Sequence, residues 1–111
     1  MRLETELVNG VLVVRPEGEL DLGSADLFRD HVDRALARGR VRGVVLNLSG
    51  VTFIDSSGLG AVLGRYRRVR QEGMAMAMAA APAKLQPVLE LSGLLKIMPL
   101  YSSEKEAVVK L

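Results

Sequence analysis

The sequence predicts an α/β fold with a mostly parallel central sheet opened by an N-terminal hairpin, and about four helices around it. Three observations predict this. Short β-branched runs alternate with stretches whose apolar residues recur at helical spacing. The first two runs are separated only by Asn9-Gly10, a pair suited to a type I′ turn. Glycines stand just past each helical stretch, at Gly39, Gly73 and Gly93, where left-handed backbone commonly ends a helix.

Taken in order, Leu3–Val8 alternates weakly, and Val11-Leu12-Val13-Val14 continues it as the second hairpin strand. Ser24 is placed to cap a helix running to about Arg38, with Leu27, Phe28, Val32, Ala35 and Leu36 on its inner side. Val44–Leu48 is short and apolar, the pattern of a central strand covered on both faces. Leu59, Val62, Leu63, Tyr66 and Val69 then define a second helix. Met74–Ala80 alternates Met with Ala: residue type favours helix and period favours strand. Gly73 before it and Pro82 after it favour the strand, whose Met74-Met76-Met78 row is expected to be buried, since Met fills irregular core gaps.

A third helix is expected over Lys84–Leu91, with Leu85, Val88 and Leu89 inward. Pro87 lacks a backbone donor and must lie in its first turn. A strand near Met98–Tyr101 follows. Ser103-Glu104-Lys105-Glu106 has the form of a capping box that opens a last helix. The apolar group Leu94, Leu95, Ile97, Met98 and Leu100 is expected to be mostly core. Residues 1–111 are expected to form a single domain.

Composition excludes several function classes. The chain has 111 residues, 49% of them hydrophobic and 25% charged, which is ordinary globular usage. With no Cys and one His, metal-ligand spacing is absent and no cofactor is expected. The longest apolar run, Met74–Pro82, falls well short of the ~20 residues of a spanning helix. No signal-peptide pattern opens the chain, so a cytoplasmic monomer without membrane contact is expected. A net charge of +2 and four aromatic residues argue against direct nucleic-acid binding. Arg65, Arg67, Arg68 and Arg70 read as a solvated helix face, with steering of an acidic partner as the weaker use.

The informative stretch is Phe53-Ile54-Asp55-Ser56-Ser57-Gly58-Leu59-Gly60, where a strand gives way to a helix. In open α/β sheets, partners and ligands bind at that edge. The positive end of the helix dipole favours negative charge there, and glycine lets another backbone approach. The plain alternative is that Asp55, Ser56 or Ser57 only caps the helix. One cap needs one such residue, and three stand in a row.

Asp55-Ser56-Ser57-Gly58-Leu59-Gly60 resembles the signature of the anti-sigma factor antagonists, which have the STAS fold. Gly18-Glu19-Leu20-Asp21 and Val45-Leu46-Asn47-Leu48 match two further blocks of that family. Leu63-Gly64-Arg65-Tyr66 and Ser92–Ile97 are similar to its sporulation members in particular, whereas general-stress members usually carry Thr where this chain has Ser57. The resemblance covers nearly the whole chain and departs at Ala79–Gln86 and Pro87. It implies that Ser56 is the phosphorylation site and that Asp55 shapes the turn before it. It further implies that Asp21, Asp55, Ser57, Gly58 and Leu59 serve partner binding. The implied partners are an anti-sigma factor that is also a serine kinase, and a serine phosphatase. The implied protein is not itself an enzyme.

The rival readings are weaker. Gly-x-Ser-x-Gly is absent around Ser56, and the only histidine, His31, sits on the first helix as a partly exposed polar residue. Neither Gly-x-x-x-x-Gly-Lys-Ser/Thr nor a full Gly-x-Gly-x-x-Gly occurs, so nucleotide binding rests on Gly58-Leu59-Gly60 alone. A ligand- or nucleotide-sensing STAS domain and a general-stress antagonist are the remaining alternatives.

Overall fold

The computed structural model describes residues 1–111 as a six-stranded sheet with five α-helices. Strands β1 (Arg2–Val8) and β2 (Val11–Leu20) form the expected antiparallel hairpin. Asn9 and Gly10 both have positive φ, as a type I′ turn requires. Helix α1 covers Ala25–Ala37, and strands β3 (Gly43–Asn47) and β4 (Val51–Ile54) precede α2 (Ser56–Gln71). Strand β5 is Ala75–Ala79, so its period of two prevailed over the helix preference of Ala and Met. A 3₁₀ turn at Ala83–Leu85 leads into α3 (Gln86–Leu91), with Pro87 in its first turn as its missing donor demands. Helix α4 (Leu94–Ile97), strand β6 (Leu100–Tyr101) and α5 (Glu104–Lys110) complete the chain.

The sheet runs β1-β2-β3-β5-β6, parallel after the hairpin, with β4 beside the last residues of β2. Strand β4 is an addition to the sequence-based order. It is four residues long and pairs Gly18–Leu20 through a register shift at Gly18/Glu19, a long-range contact that local periodicity does not report. Helix α4 is likewise additional. It restarts after Gly93, whose φ of 83° ends α3.

Helices α1 to α4 lie on one face of the sheet, over a core cluster that includes Phe28, Val32, Leu46, Val62, Met78 and Leu89. Only α5 covers the other face, where Val11, Val13, Val45, Ala79, Ala107 and Val108 pack. Four side chains depart from their expected burial. Leu27 is 50% exposed, because it lies beyond the stripe formed by Phe28, Val32 and Ala35. Leu95 and Ile97 are exposed, while Leu94 and Met98 are buried. Met76 and Met78 are buried and Met74 only partly so.

Two helix starts separate position from mechanism. Ser103 caps α5 as expected, its Oγ accepting from the Glu106 N–H at 3.1 Å. Ser24 is the first residue of α1's cap but makes no side-chain cap bond. Its Oγ donates to the Glu19 carbonyl at 2.7 Å and accepts from the Asp21 N–H at 3.0 Å. The serine therefore folds the 19–24 turn instead.

Helix α5 is tied down by charge. Arg15 donates through Nε and Nη2 to the two carboxylate oxygens of Glu104, at 2.7 and 2.9 Å, and Asn47 adds a bond at 3.0 Å. Arg15, followed by Asn47, holds the Glu104 carboxyl below its ordinary value of 4.5 against the opposing effect of burial. A depressed carboxyl pKa stabilises the fold above the unfolded value, and the contribution is lost as pH falls through the folded value. Glu104→Gln is therefore expected to cost about 1 kcal/mol at pH 7, given the partial exposure of both partners. That deficit should shrink as the pH drops below 4.5. Urea unfolding of both proteins across this range measures it.

Candidate functional site

The segment 55–60 sits at the carboxyl end of β4, on the rim where the sheet hands over to α2. Asp55 has extended backbone and is the N-cap residue. Its Oδ1 accepts from the Gly58 N–H at 2.9 Å, satisfying one of the orphan donors of the first turn. Its Oδ2 accepts from the Leu22 N–H at 3.2 Å. The Asp55 N–H in turn donates to the Leu20 carbonyl at 3.3 Å. One carboxylate thus caps α2 and moors the 19–24 turn, which carries Asp21, against the helix start.

Because Asp55 is the cap, Ser56 and Ser57 are released from that duty. Ser56 is the first residue of α2, exposed and without a hydrogen-bond partner within the protein. Ser57 is half-buried and also unpaired. No acidic residue occupies the first turn of α2, so the positive pole of this 16-residue helix is uncompensated beyond Asp55.

Gly58 is buried, and a Cβ there would lie 2.1 Å from the Leu20 carbonyl oxygen. The close backbone approach that its missing side chain allows is thus made by the chain itself. Leu59 is half-buried against the core, and Gly60 is exposed with open space around it. Asp21 is half-buried; its carbonyl accepts from the Ser24 and Ala25 N–H groups at 3.1 and 2.8 Å, so the residue shapes the turn through its backbone. Of the six site residues expected from sequence, Asp55 and Gly58 hold the turn together, whereas Ser56 faces outward.

Neither Leu22 nor Phe53, the first residue of the informative stretch, received a role from sequence. Leu22, whose N–H is bonded to Asp55, is 79% exposed, and Phe53, on β4, is 49% exposed. The signal for Phe53 was a short strand with an apolar residue on its solvent side, which becomes visible only once β4 is known to pair.

The other features singled out lie apart from this site. His31 lines a hollow with Thr5, Arg34, Ala35 and Arg38, none of them from the 55–60 segment. The arginine cluster is not a uniformly solvated face. Arg65 retains only 12% side-chain exposure and lies 3.1 Å from Asp33 Oδ1 on α1, in an orientation that gives charge attraction without an aligned hydrogen bond. Burial pulls its guanidinium below the ordinary value, against the opposing pull of Asp33. Arg68 joins Asp33 and Glu72, while Arg67 and Arg70 remain exposed. No group of carboxylates and histidine is arranged to hold a metal ion, and no helix is long and apolar enough to cross a membrane.

Replacing Asp55 by Ala removes both anchors at once. A loss of about 1–2 kcal/mol is expected, the upper range for a cap. Hydrogen exchange should show the Gly58 and Leu22 amides losing protection together, which a simple cap would not produce.

A mostly parallel sheet whose rim carries an aspartate-capped, glycine-packed serine turn is the arrangement of a STAS domain: the STAS domain family model matches residues 2–107, and the chain belongs to that family. Its relatives narrow the class. An anti-sigma F factor antagonist of Paenibacillus polymyxa is 41% identical over 111 residues, covering 100% of this chain and 95% of the relative. Among solved structures, the anti-sigma factor antagonist SpoIIAA in its unphosphorylated form is 26% identical with a TM-score of 0.74, covering 98% of this chain and 96% of that chain. The Bacillus cell fate determinant SpoIIAA in its phosphorylated form is 28% identical with a TM-score of 0.76, covering 98% of each.

Proposed function

We propose that this one-domain chain is a cytoplasmic anti-sigma factor antagonist whose binding is switched off by phosphorylation of Ser56. The observation that carries the reading is the division of labour in the turn: Asp55 caps the helix, so the Ser56 hydroxyl is exposed and uncommitted. Solved relatives in phosphorylated and unphosphorylated forms support a phosphate-dependent mechanism.

In this mechanism the unphosphorylated protein docks the 18–26 turn and the 55–62 helix start onto an anti-sigma factor, releasing a sporulation sigma factor. Asp21, Asp55, Ser57, Gly58 and Leu59 form or support that surface. Leu22 and Phe53 supply apolar area beside it, of the kind that anchors protein interfaces. The anti-sigma factor is also a serine kinase and transfers the γ-phosphoryl group of ATP to the Ser56 oxygen, which gives up its proton. The chain is thus a kinase substrate, and a serine phosphatase restores binding by hydrolysis.

The phosphate adds about −1.5 to −2 charge and three acceptor oxygens. On the chain itself the added charge sits at the favourable end of the α2 dipole, so the domain stays folded. At the interface it meets the partner where only a hydroxyl fitted.

Incubation with the anti-sigma kinase and MgATP, followed by intact-mass measurement and peptide mapping, tests the reading. One phosphate is expected on the peptide containing Ser56, absent in Ser56→Ala, with release of the complex on modification. An unmodified, folded protein beside an active kinase would transfer the reading to a ligand-sensing STAS domain.

A further inference from the structure

We propose that the groove between α1 and β1 is a binding site for a small anion that carries a short apolar chain. His31 and Arg34 of α1 and its C-cap residue Arg38 stand at positions i, i+3 and i+7, so they share one helix face. That face meets Thr5 of β1, and the four side chains surround one hollow with Ala35 at its floor. An imidazole, two guanidiniums and a hydroxyl converge there, and no carboxylate lines the hollow. Guanidinium forks and a hydroxyl suit the oxygens of a phosphate monoester or a carboxylate.

Two acids of α1, Asp30 and Asp33, line a separate hollow with Arg34 and Arg68 instead. Asp33 holds Arg65 and Arg68, and Arg34, which borders both hollows, donates from Nε to the Asp30 backbone carbonyl at 3.3 Å and keeps its terminal nitrogens unpaired. A second hollow continues from the first, sharing Thr5, Ala35 and Arg38 and adding Leu7, Leu12 and Gly39. Glu6 borders it as well, but its carboxylate holds Arg15. Leu7 is 52% exposed at that end, an apolar side chain left open to water beside the cationic hollow. A cationic head site running into an apolar floor fits an anionic amphiphile better than a bare ion. Burial of about two methylenes on Leu7 and Leu12 is worth roughly tenfold in affinity.

The test is a titration of the ¹⁵N-labelled full chain, followed by amide shifts, with inorganic phosphate, octyl phosphate and the neutral octyl glucoside. Saturable shifts at Thr5, His31, Arg34 and Arg38 are expected with both phosphates, octyl phosphate binding at least about tenfold more tightly. Octyl glucoside should give none. Arg34→Ala/Arg38→Ala, both at exposed positions, should abolish the shifts, and Leu7→Ser should weaken octyl phosphate alone. Equal affinity for the two phosphates would overturn the apolar part of the site. No saturable response below about 10 mM, or a response indifferent to the double substitution, would overturn the site itself. A detergent-like response to octyl glucoside would do the same. Ser56 is not involved, so the result is independent of the switch.

Discussion

Ser56→Asp is expected, on the proposed mechanism, to bind the anti-sigma factor at least about a hundredfold more weakly than the wild type, while Ser56→Ala retains affinity. The site explains both halves. The serine hydroxyl makes no bond within the domain, so deleting it removes nothing from the fold. On the proposed mechanism a carboxylate at the same position is carried into the partner interface, where a like-charge contact costs several kcal/mol. The same carboxylate is favourable for the chain, because α2 has no acid in its first turn. Thermal unfolding should therefore place Ser56→Asp at or slightly above the wild type, and calorimetric titration should show the loss of binding. A destabilised Ser56→Asp would mean that the affinity loss comes from unfolding.

Gly58→Ala is the largest expected stability effect. A Cβ at 2.1 Å from the Leu20 carbonyl oxygen, and 2.8 Å from its carbon, cannot be relieved by a side-chain rotation, because the obstacle is backbone. Helix α2 must move away from the end of β2, pulling on the Asp55–Leu20 bond as it goes. The cost should reach or exceed about 3 kcal/mol, the top of the range for overpacking. Gly60→Ala, one step along with nothing near its Cβ, should instead be neutral or stabilising. Urea midpoints of the pair separate a crowding effect from helix propensity: a mild Gly58→Ala would show that α2 can yield.

What sequence conveyed about this fold follows the range of each signal. Asn9-Gly10, the Met/Ala alternation and Pro87 act through their own dihedrals or their nearest neighbours, and the structure bears out the elements they imply. Strand β4 and helix α4 are only four residues each, too short for a period to declare itself. Leu27 and Arg65 show a related difficulty. Helical spacing locates a stripe only to within a residue or two, so a leucine at its edge was placed inside and a buried arginine was placed outside.

The site was legible as a place more than as an arrangement. Sequence located the strand-to-helix turn, but three oxygen-bearing side chains competed for one cap. The choice among them depends on Leu22, which is 33 residues away along the chain. The same distance hid the reason for Gly58. A glycine announces that something comes close, and only the folded chain names Leu20 as what comes.

The unequal covering of the sheet has a kinetic consequence. A large cluster lies under four helices, α2 with its N-terminal turn among them, whereas a small one lies under α5 alone on the opposite face. Local opening begins where least is buried, so α5 should exchange its amides on a faster timescale than α1 or α2. Transient loss of the C-terminal helix exposes Val13 and Ala79 but leaves the opposite layer packed. The turn at Ser56 is therefore built on the slow side of the molecule, and its geometry persists through the openings that release α5.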